Sequence, residues 1–120
     1  MAQYVDGYVL PVAKKNLPQY TRMARKMAKI FLEHGALEVR ECLGDDLQVK
    51  VGVPFPRSLR IKPGETVLFS WILFKSRAHR DRVSGKVMAD PRCHALAEGD
   101  MPFDIGRMAC GGFKSIVHAS

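Results

Sequence analysis

The sequence has no long uninterrupted apolar run. Its longest, VLFSWILF, falls far short of the roughly 20 residues that a membrane-spanning helix requires, so a spanning segment is excluded. The opening stretch, MAQYVDGYVLPV, shows no basic segment followed by a continuous apolar one, which is the pattern of a secretory leader. A cytoplasmic location is the expectation. Cysteine is scarce as well: Cys42, Cys93 and Cys110 are the three present, and no two of them stand in CxxC spacing. Such scatter argues against a disulfide framework and against a structural zinc site; these thiols are expected to be reduced and to behave as small hydrophobes. The four histidines, His34, His79, His94 and His118, show neither HxxxH nor HExxH spacing, so no metal site and no cofactor is predicted.

What is present is the balance of an ordinary globular chain. Hydrophobic residues make up 47% and charged residues 26% of 120 positions, enough for one domain spanning 1–120 with a core of its own. Net charge is +7, and a basic surface attracts phosphates. The basic residues are spread along the chain without an RNA or DNA motif, as on the solvated side of amphipathic helices. Nucleic acid is therefore not the expected partner, and an RNA-associated protein acting through this basic surface stands as an alternative.

Periodicity gives the order of elements. Tyr4, Asp6, Tyr8 and Leu10 alternate with Val5, Gly7 and Val9, the period of a strand, which Pro11 is expected to stop. Asn16 is the expected cap of a helix whose apolar stripe runs through Leu17, Tyr20, Met23, Ala24, Met27, Ile30 and Phe31, ending near Gly35. ALEVRECLGDDLQVKV alternates around Gly44-Asp45-Asp46 and predicts a hairpin or an extended edge strand. From Glu65 to Phe74 both faces are apolar, as in a strand covered on both sides. Ser76 caps a second helix that ends near Asp90, before Pro91. A final strand is expected over Arg107–His118, with Gly111-Gly112 marking a bulge or a close backbone approach.

The resulting order is β-α-β-β-α-β: an α+β, ferredoxin-like protomer with an antiparallel sheet carrying two helices on one face. The other face would remain apolar and exposed, and a symmetric dimer covers it most simply.

At about 100° per residue, the inner stripe of the second helix groups His79, Val83, Lys86, Val87 and Asp90, while Arg77, Asp81 and Met88 point away. An inward stripe of that composition suits a polar cavity. His79 is the candidate acid or base, because imidazole titrates near neutral pH and the helix N-terminus favours its neutral form; its alternative is a space-filling histidine bonded to the backbone. Asp6, between Tyr4 and Tyr8 on one strand face, is the second catalytic candidate, orienting water or substrate; the same trio also suits a hydrogen-bonded interface. Tyr4, Tyr8, Trp71, Val83 and Lys86 are the expected pocket-lining residues. His34 is expected to be a helix-end residue.

The segments YVDGYVLPV, KNLPQY, HGALEVRECLGDD, GETVLFSWILFKSRAHRDRV, KVMADPR and MPFD with GGF resemble the YbaA-like family of small bacterial proteins of unknown function. The likeness runs along nearly the whole chain and departs most over RCHALAEGD. It implies a dimeric α/β barrel built from ferredoxin-like protomers, a superfamily that includes cofactor-free monooxygenases, haem-degrading enzymes, muconolactone isomerases and stress-responsive proteins. The expectation is a homodimer with one small-molecule pocket per protomer, supporting cofactor-free acid/base or oxygenase-type chemistry. The alternative is a non-catalytic protein that binds a metabolite or a partner.

Overall fold

The structure, a computed structural model, describes residues 2–120. Strand β1 (Tyr4–Ala13) leads through a 3-10 turn at Lys14–Asn16 into helix α1 (Leu17–Glu33), followed by strand β2 (Glu38–Leu43). A one-turn helix α2 (Phe55–Ser58) lies in the long loop before strand β3 (Glu65–Phe74). Helices α3 (Arg77–Met88) and α4 (Pro91–Glu98) follow directly on one another, and strand β4 (Ala109–Lys114) closes the chain's regular structure. The sheet order is β2-β3-β1-β4 with every pair antiparallel. This is the ferredoxin-like arrangement, with two additional helices, the one-turn α2 and α4.

Several boundaries differ from the periodicity reading, each for a physical reason. Pro11 does not end β1; it pairs with Val67, and the strand continues to Ala13. In β1 the odd-numbered residues turn their N–H groups toward β4, whose ladder stops at Val9↔Ala109, so a proline two residues further costs no ladder bond. No hairpin forms beyond Gly44: Val49 and Val51 alternate correctly but stay 46% and 88% exposed, an alternation with no surface to bury against. The last strand is shorter than Arg107–His118 and runs regularly through Gly111-Gly112 without a bulge. The glycines mark a close approach, since a Cβ at Gly112 would run into the Tyr4 hydroxyl, with ring atoms Cε2 and Cζ at 2.7 and 2.8 Å. Asn16 makes no cap bond; its amide donates to the Pro102 carbonyl at 3.3 Å.

Helix α4 is absent from the expected order, because the proline that ends α3 also starts the next helix. Pro91 occupies its first turn and the Asp90 carboxylate accepts from the Arg92 amide at 2.9 Å, a favoured N-terminal arrangement. Helix α1 ends as expected, at Gly35 in a left-handed conformation (φ 117°), with the Ala36 amide donating to the Phe31 carbonyl.

Tyr4, Asp6, Tyr8, Leu10 and Val12 of β1 share the helix-covered face with Phe74, Ile72, Ser70 and Leu68 of β3. The core there has two lobes. One gathers Phe74, Ile72, Val83, Val87, Ile30 and Phe31; the other gathers Leu10, Val12, Tyr20, Ala24 and Leu68. Tyr8 packs against both. The opposite face presents Val5, Gly7 and Val9, then Leu73, Trp71 and Phe69, with Glu38, Arg40 and Cys42 of β2 and Phe113 of β4 beside them.

Candidate functional site

Where the two lobes part, they leave a cavity of about 360 Å³ between the helix-covered face of the sheet, α1, α4 and the segment leading to β4. Its walls are almost wholly apolar, with Met23, Met27 and Phe31 from α1, Leu96 from α4, and Met101 and Phe103 beyond it. Alanines 24 and 28, one turn apart on α1, face the same space and keep it open where larger side chains would fill it.

The polar groups are confined to the floor, and their placement follows from the register. Glu41 pairs with Ser70 across β2 and β3, and Ser70 pairs with Tyr8 across β3 and β1. One cross-strand row thus carries a carboxyl, an aliphatic hydroxyl and a phenol, about 4.8 Å from strand to strand. Tyr20 of α1 reaches down to this row and donates to Glu41 Oε1 at 2.7 Å. Ser70 is 4% exposed, yet neither its hydroxyl nor that of Tyr8 makes a side-chain hydrogen bond among the described residues. Both open onto the cavity.

Electrostatics follow from this half-dry setting. Burial pushes the Tyr8 phenol up to about 12, with the nearby Asp6 carboxylate adding to the effect, so it is a neutral donor at any ordinary pH. Burial pushes the Tyr20 phenol further in the same direction, reinforced by Glu41. Glu41 stands on the edge strand β2 with much of its residue surface exposed, but its carboxyl tip is enclosed by the Tyr20 side of α1. That enclosure raises its pKa, and the Tyr20 hydrogen bond offsets only part of the rise. Glu41 therefore marks the mouth of the cavity rather than its depth. A second groove shares Tyr20, Ala24, Ala28, Val39 and Glu41 with the cavity and adds Thr21 and Arg25.

The residues expected at the site are dispersed by the structure rather than brought together. Tyr8 lines the cavity. Trp71 lies on the opposite face of the sheet, flanked by Phe69 at 5.8 Å with Arg40 over its ring at 5.5 Å and its indole N–H 3.4 Å from Glu38. Val83 is core at 2% exposure and Lys86 is exposed.

His79 does not border the cavity. Its Nδ1 accepts from the Lys75 amide at 3.0 Å, its ring stands edge-on to Phe74, and its Nε2 lies 3.4 Å from where a Cβ at Gly35 would sit. The space in front of it is occupied by the turn that ends α1. Burial, and then the Lys75, Arg82 and Lys86 charges, hold its pKa below the usual imidazole value. His34 does sit at a helix end, as the residue following α1, with Nε2 2.8 Å from Asp90 Oδ2.

Asp6 and Tyr4 share one partner, Arg80. The guanidinium lies 3.1 Å from Asp6 Oδ1, donates weakly to the Tyr4 hydroxyl at 3.4 Å and stacks 4.8 Å over the Tyr4 ring. Burial raises the Asp6 pKa more than Arg80 lowers it, and Asp81 adds to the rise. Arg80 Nε is 2.9 Å from Asp81 Oδ1 as an ion pair, without the alignment of a hydrogen bond, and finds no acceptor among the described residues.

Two residues that matter here escaped the sequence reading, and both left a signal. On the helical wheel Arg80 falls about 100° from His79 and only about 20° from Val87, on the inward edge, and a strand-centre Asp6 needs a cation. Glu41 is the lone carboxylate on the Val39-Glu41-Leu43 face of β2, opposite the Glu38-Arg40-Cys42 face.

Comparison with known proteins agrees with the fold and leaves the chemistry open. The protein is 40% identical over 115 residues to the uncharacterized protein YbaA of Escherichia coli K12, covering 96% of this chain and 97% of that one; the Shigella flexneri protein of the same description matches equally. Among solved structures, a dimeric ferredoxin-like protein from an uncultured marine organism superposes with a TM-score of 0.64 at 8% identity, over 99% of this chain and 100% of that one. Rv0793 from Mycobacterium tuberculosis gives 0.60 at 12% identity, over 99% and 100%. An uncharacterized NIPSNAP domain protein from Burkholderia xenovorans gives 0.59 at 14%, over 98% and 95%. Such low identities speak for the fold alone. Residues 3–105 match the model of DUF1428, described as a protein of unknown function, and the chain belongs to that family.

Proposed function

We propose that the protein is a cytoplasmic homodimer in which each protomer binds a small, largely apolar molecule in the cavity above the Tyr8–Ser70–Glu41 row. The observation that carries this reading is Ser70: a residue 4% exposed whose hydroxyl makes no side-chain hydrogen bond among the described residues and opens onto a cavity of about 360 Å³. The hydroxyl is open to the cavity rather than sealed in protein, so on an almost wholly apolar floor it is free to donate to or accept from a polar group of a bound molecule. The volume falls in the range of small-molecule sites, and a few convergent polar groups on apolar walls are their usual composition.

The dimer would form through the uncovered sheet face. Phe69 and Phe113 are 42% and 63% exposed there, beside Trp71, an apolar surface of the kind that self-association covers. The structural relative from a marine organism is itself described as dimeric. Glu41 and, two strands along the same row, the neutral donor Tyr8 are the acid/base groups that the cavity offers to a bound molecule.

Thermal shift with a panel of neutral aryl alcohols and ketones tests the reading against Ala28→Trp, which fills the cavity from α1. A ligand at one hundred times its Kd raises unfolding free energy by about 2.7 kcal/mol, so the wild-type midpoint should climb by several degrees and that of the filled variant should not. Equal shifts in both proteins would place binding elsewhere.

A further inference from the structure

We infer that the mouth of the cavity is a cation site, and that the preferred occupant is an amphipathic amine, with its apolar body inside and its ammonium group beside Glu41. This rests on the cavity being a ligand site at all and adds the charge of what enters.

Three observations point to it. First, among the described residues no lysine, arginine or histidine borders the cavity, and Glu41 is the one carboxylate that does. An anionic head would have no counterion there and would meet a carboxylate. Second, the Tyr20 hydroxyl occupies one oxygen of Glu41 at 2.7 Å. The other oxygen, Oε2, makes no hydrogen bond among the described residues. A carboxylate with one oxygen open at the edge of an apolar chamber suits an ammonium group by charge-assisted pairing.

Third, the walls are built for shape tolerance. The chain has six methionines, and Met23, Met27, Met88, Met101 and Met108, all those among the described residues, border this one cavity. Methionine is flexible and polarizable, and its concentration at a binding surface favours a range of apolar shapes over one tightly matched substrate. Selectivity then falls to the one charged group at the rim.

The groups facing Glu41 do not cancel this assignment. Tyr20 from α1 donates to it, and Tyr8 from β1 is neutral. Arg25 of α1 lines the second groove together with Glu41, but the two form no ion pair among the described residues, and Asp6 of β1 is committed to Arg80. Enclosure raises the Glu41 pKa in the empty protein, so an incoming cation must displace a proton from a fraction of the molecules, and that fraction shrinks as pH rises.

Phenylbutylamine, phenylbutanol and phenylbutyrate share one apolar body and differ in head charge. Calorimetric titration of the full chain should give about tenfold tighter binding of the amine than of the alcohol, the scale of one charge-assisted contact, with the carboxylate weakest. The amine's affinity should increase as pH rises through the acidic range, while the alcohol's stays flat. Glu41→Gln should bring amine and alcohol together without weakening the alcohol; the wild-type pH series answers the question if that variant folds poorly. Equal binding of amine and alcohol, or tighter binding of the carboxylate, would overturn the cation site and leave the cavity reading intact. No binding of any of the three would overturn both.

Discussion

Replacing Arg80 by leucine would strip the Asp6 carboxylate of the one cation paired with it among the described residues. Asp6 is 7% exposed and Arg80 approaches it at 3.1 Å, with the Arg80 side chain 23% exposed. Breaking a fully buried pair costs about 3–5 kcal/mol; the partial exposure of Arg80 screens part of that, so about 2–3 kcal/mol is the expectation near neutral pH. Roughly 3–5 °C of Tm per kcal/mol for a chain of this length makes this a fall readily seen by calorimetry. The sign of the pH dependence is fixed by the Asp6 pKa, which lies above its unfolded value and would rise further without Arg80. A group raised on folding contributes its stability below its unfolded pKa and loses it as pH climbs through the folded one. The deficit of Arg80→Leu should therefore be smaller at about pH 5 than at about pH 7.5, and Asp6→Asn in the same chain should restore most of it. A pH-independent deficit, equal in the single and double variants, would show that Arg80 acts through packing on Tyr4 and that the Asp6 charge is not being compensated.

Three further outcomes follow from the geometry. Gly112→Ala places a methyl against the Tyr4 ring and should cost about 1–3 kcal/mol by overpacking; Tyr4→Leu should make the same substitution nearly free in a double-mutant cycle by denaturant unfolding. Phe113→Asp on the uncovered sheet face should shift sedimentation from dimer to monomer while the far-ultraviolet circular dichroism stays unchanged; a dimer that persists would place the interface elsewhere. Asp90 is held well below the ordinary carboxylate range by Arg92 and His34, so its contribution is present above its unfolded value of 3.8 and lost as pH falls toward the folded one. Asp90→Asn should therefore lower Tm at neutral pH, with the gap to the wild type closing in acid.

Local physics carried the sequence reading a long way. Alternation in β1 and β3, the stripe of α1, the Ser76 cap and the Gly35 terminus all depend on neighbours within a turn or a strand, and all lie where those patterns put them. The face shared by Tyr4, Asp6 and Tyr8 also follows from period two. What periodicity could not supply was which faces meet. The inward His79 was legible, but not that the Gly35 turn packs onto it, because that depends on how α1 ends against α3. The cavity formed lower on the sheet, where Ala24 and Ala28 leave room, and small residues announce absence of bulk without saying what lies opposite. Trp71 is expected at a pocket wall because its indole N–H suits one; only the placement of the helices decides which apolar face of β3 is covered. Helix α4 was hidden by Pro91, which ends one helix and begins another with the same restriction on φ.

The cavity's composition offers its own direct test. With methionine methyls labelled with carbon-13, a titration with phenylbutanol followed by NMR should move the resonances of Met23, Met27, Met88, Met101 and Met108 together and saturably, since all five border one chamber. Ala28→Trp should abolish the shifts. Thermal stabilisation by the same compound with those five resonances unmoved would contradict the account, because binding would then lie outside the space above Tyr8, Ser70 and Glu41.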